Sequence, residues 1–236
     1  MYRTIQEKTA FVFLFALLGF AALQVPVAHV VGSRATFTLF DAVAPTAGAF
    51  LGTLPGIIAV ALMGLCNIAL HHTSLHDPAT LIRLITPLAA TLSFAHPRKS
   101  TLLIPFLAMI AFTLHPVGRS VWYFSLYWTI PILCFFFHER SLLARSFGAT
   151  FTAHALGGAL WIYTFNLPAP VWIGLIPVVA IERTFFALGM TLTFVVLTNV
   201  LYVLEKKRFP YLHVLHINRQ YIWKRLEALT ASQTTV

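Results

Sequence analysis

Charge is what this chain has least of. Asp, Glu, Lys and Arg together make up 10% of its 236 residues, against about 25% in an average soluble domain. So little charge excludes a disordered chain, and it excludes a water-soluble globular domain whose surface would have to face solvent. Cysteine is nearly absent as well. Cys66 and Cys134 both lie in apolar runs, with no CxxC or Cys/His spacing around them. That excludes a disulfide-rich secreted module and a structural zinc site, and both thiols read as buried and inert. HExxH, GxSxG and Walker A patterns are missing too, so nothing in the sequence marks a hydrolase or an ATPase. If this chain moves a solute, another chain supplies the energy.

What is present is apolar sequence, in blocks. Apolar residues make up 58% of the chain and the mean hydropathy is +0.81. A membrane-spanning helix needs roughly 20 such residues. Candidate segments run over residues 9–31, 39–54, 55–70, 80–95, 100–114, 120–137, 146–165 and 181–204, the last led in by 171–180. The first follows Arg3 and Lys8 but is long and has no Ala-x-Ala site after it, so it reads as a retained helix, not a signal peptide. Segments 39–54 and 55–70 are short enough to be a re-entrant pair or one broken unit. The expected fold is an all-α, polytopic membrane helix bundle of six to eight transmembrane segments over residues 1–204, followed by a basic, partly amphipathic cytoplasmic tail at 205–236.

The net charge of +9 reports orientation. Threading the segments with the N-terminus inside puts Arg3, Lys8, Arg98, Lys99, Arg140, Arg145, Lys206, Lys207, Arg208, Arg219, Lys224 and Arg225 on the cytoplasmic side. Only Arg34, Arg83, Arg119 and Arg183 fall outside. The positive-inside rule then predicts both termini in the cytoplasm of a multi-pass cell-membrane protein, and the basic excess needs no nucleic acid. Within the tail, Leu212, Leu215, Tyr221, Ile222, Leu226 and Leu229 interleave with Arg219, Lys224 and Arg225 over 211–229. That pattern suits an interfacial helix on anionic lipid.

Small residues recur every four positions at Ala44, Gly48, Gly52 and Gly56, and again at Ala149, Ala153 and Gly157. Such stripes let helix backbones approach closely in lipid, either inside the bundle or against a partner. Polar residues inside apolar segments are costly unless paired. Asp41, Gln24, Asn67, His154, Glu182, Arg183 and Asn199 are of this kind. Glu182-Arg183 at the outer end of the last segment can pair with Arg119 or Asp41, or can hold a ligand. The histidines open a second possibility. His71, His72 and His76 beside Asp77, with His115 on the same side, offer an outer metal site, with His72 and His76 at i, i+4 if helical. On that alternative the protein is a membrane metalloenzyme. A third reading makes it a scaffold whose stripes and tail bind other subunits.

The stretch Phe40–Asn67, F-D-A-V-A-P-T-A-G-A-F-L-G-T-L-P-G-I-I-A-V-A-L-M-G-L-C-N, resembles the second and third helices of the substrate-binding S components of energy-coupling factor transporters. Those proteins are likewise small, basic and very hydrophobic, with cytoplasmic termini. The family's first helix carries an Ala-xxx-Ala stripe that the first segment here lacks, since Ala16 is followed four residues later by Phe20; such a stripe occurs instead at Ala149 and Ala153, in the seventh segment. The resemblance implies a membrane-embedded subunit that binds a vitamin or precursor, without a cofactor, and is energised by a transmembrane coupling subunit and ATPase subunits. It implies a pocket under the loop 32–38, formed by Phe37, Asp41, Arg119, Trp122, Trp172, Glu182 and Arg183, with His154 deeper. Arg119 and Arg183 would hold a carboxylate or phosphate, and Trp122 or Trp172 would stack on a ring.

Overall fold

The fold described below is that of a computed structural model, which describes residues 2–29, 36–206, 212, 215–224 and 226. The described chain is built almost wholly of helices: α1 (Tyr2–Leu23), α2 (Phe40–Leu51), α3 (Thr53–Leu70), α4 (Pro78–Ala95), α5 (Leu103–Leu114), α6 (Pro116–Ser120), α7 (Ile130–Phe135), α8 (Leu142–Phe165) and α9 (Ala169–Lys206). The all-α reading holds with one small exception. Strands β1 (Pro26–His29) and β2 (Thr36–Thr38) pair antiparallel between α1 and α2, with Pro26 opposite Thr38. Among the described residues three helices, α3, α4 and α9, are long and apolar enough to cross a membrane.

Local chemistry explains where the helices break. Segment 9–31 ends early, at Leu23, because the chain turns through Gln24-Val25 into the extended Pro26, whose missing N–H cannot continue a helical ladder. Gly52 separates α2 from α3 with φ 92° and ψ 161°, a conformation L side chains rarely adopt. It is therefore a hinge between helices, not a stripe position on one. Asp77 begins α4: its carboxylate accepts the Ala79 and Thr80 amides at 3.4 and 3.1 Å and the Thr80 hydroxyl at 2.8 Å, with Pro78 at the first helical position. Ser141 caps α8 in the same manner, at 3.1 Å from the Ala144 amide. The sixth segment is not a regular α-helix. It runs as a tight 3-10 helix over Trp122–Thr129 before relaxing into α7. The last segment extends further back than expected. Helix α9 has 38 residues, about 57 Å at 1.5 Å each, and it absorbs Pro170 in its first turn and Pro177 in its interior.

Two apolar clusters form the core. One gathers Phe15, Phe50, Met63, Phe94 and Phe194 from α1, α2, α3, α4 and the second half of α9. Phe50 stacks on Phe15 at 5.8 Å and on Phe194 at 5.0 Å, pairs worth about 1 kcal/mol each beyond area burial. The other gathers Phe112, Phe124, Trp128, Phe151, Ile162 and Trp172. The small-residue stripes serve these interiors. Ala44 and Ala149 are fully buried, Gly48 lies against Thr91 and Ala95, Gly56 lies against Gly48, and Gly157 faces Thr86.

The tail differs from the interfacial helix expected over 211–229. Among its described residues His216–Asn218 are not helical and Arg219–Tyr221 makes one 3-10 turn. Leu212, Leu215 and Ile222 are buried. The His216 amide donates to the Phe50 carbonyl at 2.9 Å. Asn199 receives the Trp223 amide at 2.8 Å and donates to the Tyr221 carbonyl at 3.0 Å. The physical reason is vacancy: α2 is only 12 residues, about 18 Å, and the tail's apolar side chains join the cluster at its Leu51 end. The remainder of the tail, including Lys207, Arg208 and Arg225, lies outside the described residues.

Candidate functional site

Between the two clusters lies a cavity of about 990 Å³, its open mouth included. Its walls come from α2, α4, α8, α9, strand β2 and the 3-10 segment. Each wall residue is placed by its element. Thr36–Thr38 forms β2, which carries Phe37 over α9. Asp41 sits in the first turn of α2 and accepts the Thr38 amide at 3.0 Å, which ties the hairpin to that helix. Arg83, Thr86, Pro87 and Ala90 form the α4 wall at near-helical spacing, and Thr150, Ala153, His154, Gly157, Gly158 and Trp161 form the α8 wall.

Arg183 dominates the chemistry. It is 4% exposed, with its guanidinium carbon 4.6 Å from the Phe37 ring centre and 4.9 Å from that of Phe186. The two rings hold the plane of the guanidinium. Glu182 lies beside it, Oε2 to Nη2 at 3.7 Å, which is an ion pair without a hydrogen bond. Arg183 Nε and Nη2 are both buried and have no hydrogen-bond partner. These two nitrogens make up one edge of the guanidinium, the edge that grips a carboxylate or phosphate with two parallel bonds. A buried donor left unmade costs about 1–3 kcal/mol, more when charged. An oxoanion at this edge would recover that cost.

His154 is held by Trp128, whose indole Nε1 donates to His154 Nδ1 at 3.0 Å. The remaining cavity wall is aromatic and apolar: Phe124, Trp161, Trp172, Leu175 and Val179. Trp172 is anchored through its indole N–H to the Leu167 carbonyl at 3.2 Å. Tyr127 donates to the Ile176 carbonyl at 2.8 Å, next to Pro177, and so fastens the 3-10 segment to α9.

Of the residues that the sequence placed in a ligand pocket, Phe37, Asp41, His154, Trp172, Glu182 and Arg183 line this cavity. Arg119 and Trp122 do not. Arg119 is exposed on the short α6, and Trp122 opens the 3-10 segment 55% exposed, while Phe124 and Trp128 take the inward positions. Ala153 and Gly157, expected to pack helices, line the cavity as well. Sequence reasoning passed over Arg83, Phe124 and Trp161. Arg83 carried a usable signal, a cation well inside an otherwise apolar segment.

The histidines of the expected metal site, His71, His72, His76 and His115, do not assemble. Among the described residues no three His, Cys, Asp or Glu side chains come together to hold a metal. His71 Nδ1 is engaged with the Asn67 carbonyl at 3.0 Å, His72 adopts φ 50°, Asp77 is occupied as a helix cap, and His115 packs edge-on against Tyr163 at 4.9 Å. The i, i+4 relation of His72 and His76 is lost because the segment is a loop. The Gly32–Thr38 loop expected above the pocket is described only from residue 36 onward. No family model matches the chain, and no curated protein or solved structure matches it.

Proposed function

We propose that this protein is a multi-pass membrane subunit that binds a small molecule carrying a carboxylate or phosphate, and serves a transporter energised by a separate ATPase module. The observation that carries the binding reading is Arg183, buried in a cavity wall with one bidentate edge unmatched. The membrane reading is supported by large apolar side chains turned outward along the helices, such as Leu54 at 68%, Ile181 at 72% and Leu192 at 66% exposure. The transporter reading rests on the likeness of Phe40–Asn67 to energy-coupling factor S components. Native mass spectrometry of the detergent-purified chain tests it. One small molecule per chain, acidic in character, is the expected result; a chain that neither retains nor rebinds any acidic compound overturns the binding reading.

Orientation is a separate expectation. Both termini belong in the cytoplasm and the His71–Asp77 loop on the outer side, following the distribution of basic residues. A reporter enzyme active only in the cytoplasm should be active after Val236 and silent within Thr73–Asp77. The opposite pattern refutes the orientation without touching the cavity.

A further inference from the structure

Trp128 is buried completely and is not among the residues lining this cavity, yet its indole N–H is directed at His154, which is. An indole N–H only donates, so His154 Nδ1 must accept. The neutral imidazole then carries its proton on Nε2, and that nitrogen is left to the cavity His154 lines. The indole is rigidly seated. It meets Phe112 edge-on at 5.2 Å, and it lies so close to α8 that a Cβ on Gly158 would stand 2.7 Å from Trp128 Cζ2. The cavity's donors then include the charged edge of Arg183 and the Nε2–H of His154, beside Arg83, Thr86 and Thr150 of its walls. The same cavity is lined by the aromatic side chains Phe37, Phe124, Trp161 and Trp172.

We infer that Trp128 fixes His154 as a hydrogen-bond donor toward the ligand, so that the cavity selects a flat ring bearing an oxoanion for Arg183 and an acceptor atom for His154. This rests on the oxoanion reading of Arg183 and adds a specificity rule to it. Trp128 is the positioning residue: it touches no ligand and acts through the tautomer it imposes. A ring with a donor at that place would meet a donor and leave both unpaired, which a closed polar site rejects.

The test uses the full chain in detergent with two readouts. The first is the nitrogen spectrum of 15N-histidine-labelled protein, the His154 signals assigned by their loss in His154→Gln. Wild type should show a single tautomer protonated at Nε2, and Trp128→Phe should show a mixture. The second is binding, followed by tryptophan fluorescence, of benzoate, its 3- and 4-acetyl derivatives, and pyridine-3- and pyridine-4-carboxylate. At least one acceptor-bearing acid should bind about tenfold more tightly than benzoate, the worth of one net hydrogen bond. That ratio should fall to about one in Trp128→Phe and His154→Phe and recover in His154→Gln, whose amide can donate. A proton on Nδ1 in wild type overturns the inference. So does a ratio near one in wild type, or a ratio that survives Trp128→Phe. If no acid binds at all, the Arg183 reading fails and the ligand class fails with it. The spectrum distinguishes that failure from a failure of the Trp128 contact.

Discussion

Substitution of Arg183 by methionine is expected to weaken binding of the retained acid, or of benzoate as a probe, by about a hundredfold or more, without lowering the melting temperature of the unliganded chain. The magnitude follows from removing a buried charged partner, which costs about 2–5 kcal/mol of binding. The stability expectation follows from two opposing effects. The wild-type chain carries a buried guanidinium with two unmade donors, at about 1–3 kcal/mol each. Against that stand its contacts with Phe37 and Phe186, at about 0.5–2 kcal/mol each. Methionine keeps the packing and relieves the first term. Glu182 loses its ion-pair partner, but its side chain is 17% exposed, so water in the cavity can solvate it; Glu182→Gln in the same chain removes even that cost. Arg183→Lys should bind nearly as poorly as the methionine variant, because a point charge cannot offer two parallel donors. Binding isotherms and thermal unfolding of the variants give the answer. A fall in melting temperature as large as the loss of binding would make Arg183 a structural residue and sink the functional reading.

The site was legible in the sequence to the extent that polar residues in lipid are scarce. Asp41, His154, Glu182 and Arg183 stood out because each interrupts an apolar run, and the fold brings all four to one cavity. Arg119 and Trp122 were attractive by residue type alone. They are exposed because α6 buries Gly118, and the 3-10 segment buries Phe124, Ser125 and Trp128. A period-3.6 pattern cannot anticipate a 3-10 stretch of eight residues, since such runs are uncommon and shift every face. Arg83 reads as one more outer-side charge in the basic distribution, which hides its place in the cavity wall. Trp128 left no signal at all. Its role depends on an atom-to-atom contact with His154, 26 residues away, which no spacing rule contains.

Fold legibility has a similar boundary. Polar breaks at His71–Pro78, His96–Lys99 and Asn166–Pro168 separate helices where expected. What escaped was backbone geometry that depends on partners. Gly52 looks like a stripe residue until its positive φ shows it to be the break between α2 and α3. The tail looks amphipathic until the short α2 leaves room for Leu212 and Leu215 in the apolar cluster. In both cases tertiary packing overrides a local pattern that fits an independent helix equally well.

The second large effect belongs to the same hinge. Gly56→Ala is expected to destabilise the chain by about 3 kcal/mol, at the upper end of overpacking costs in a closed interior. Helices α2 and α3 fold back on each other through Gly52, and Gly56 then lies directly on the Gly48 backbone, where an added Cβ would overlap Gly48 Cα and stand 2.6 Å from its amide nitrogen. Backbone cannot rotate away as a side chain can, so the two helices must separate. Separation would lever α2 outward and carry Asp41 and Pro45 from the cavity wall. Gly174→Ala is the matched control, since nothing stands within 4 Å of its added Cβ. Thermal unfolding in detergent should show a lowered midpoint for Gly56→Ala alone, and that variant should also bind the benzoate probe more weakly even at temperatures where it is fully folded. Equal midpoints for the two alanine variants would mean that α2 and α3 are not packed at glycine contact. The hinge would then have no part in holding Asp41 in the cavity wall.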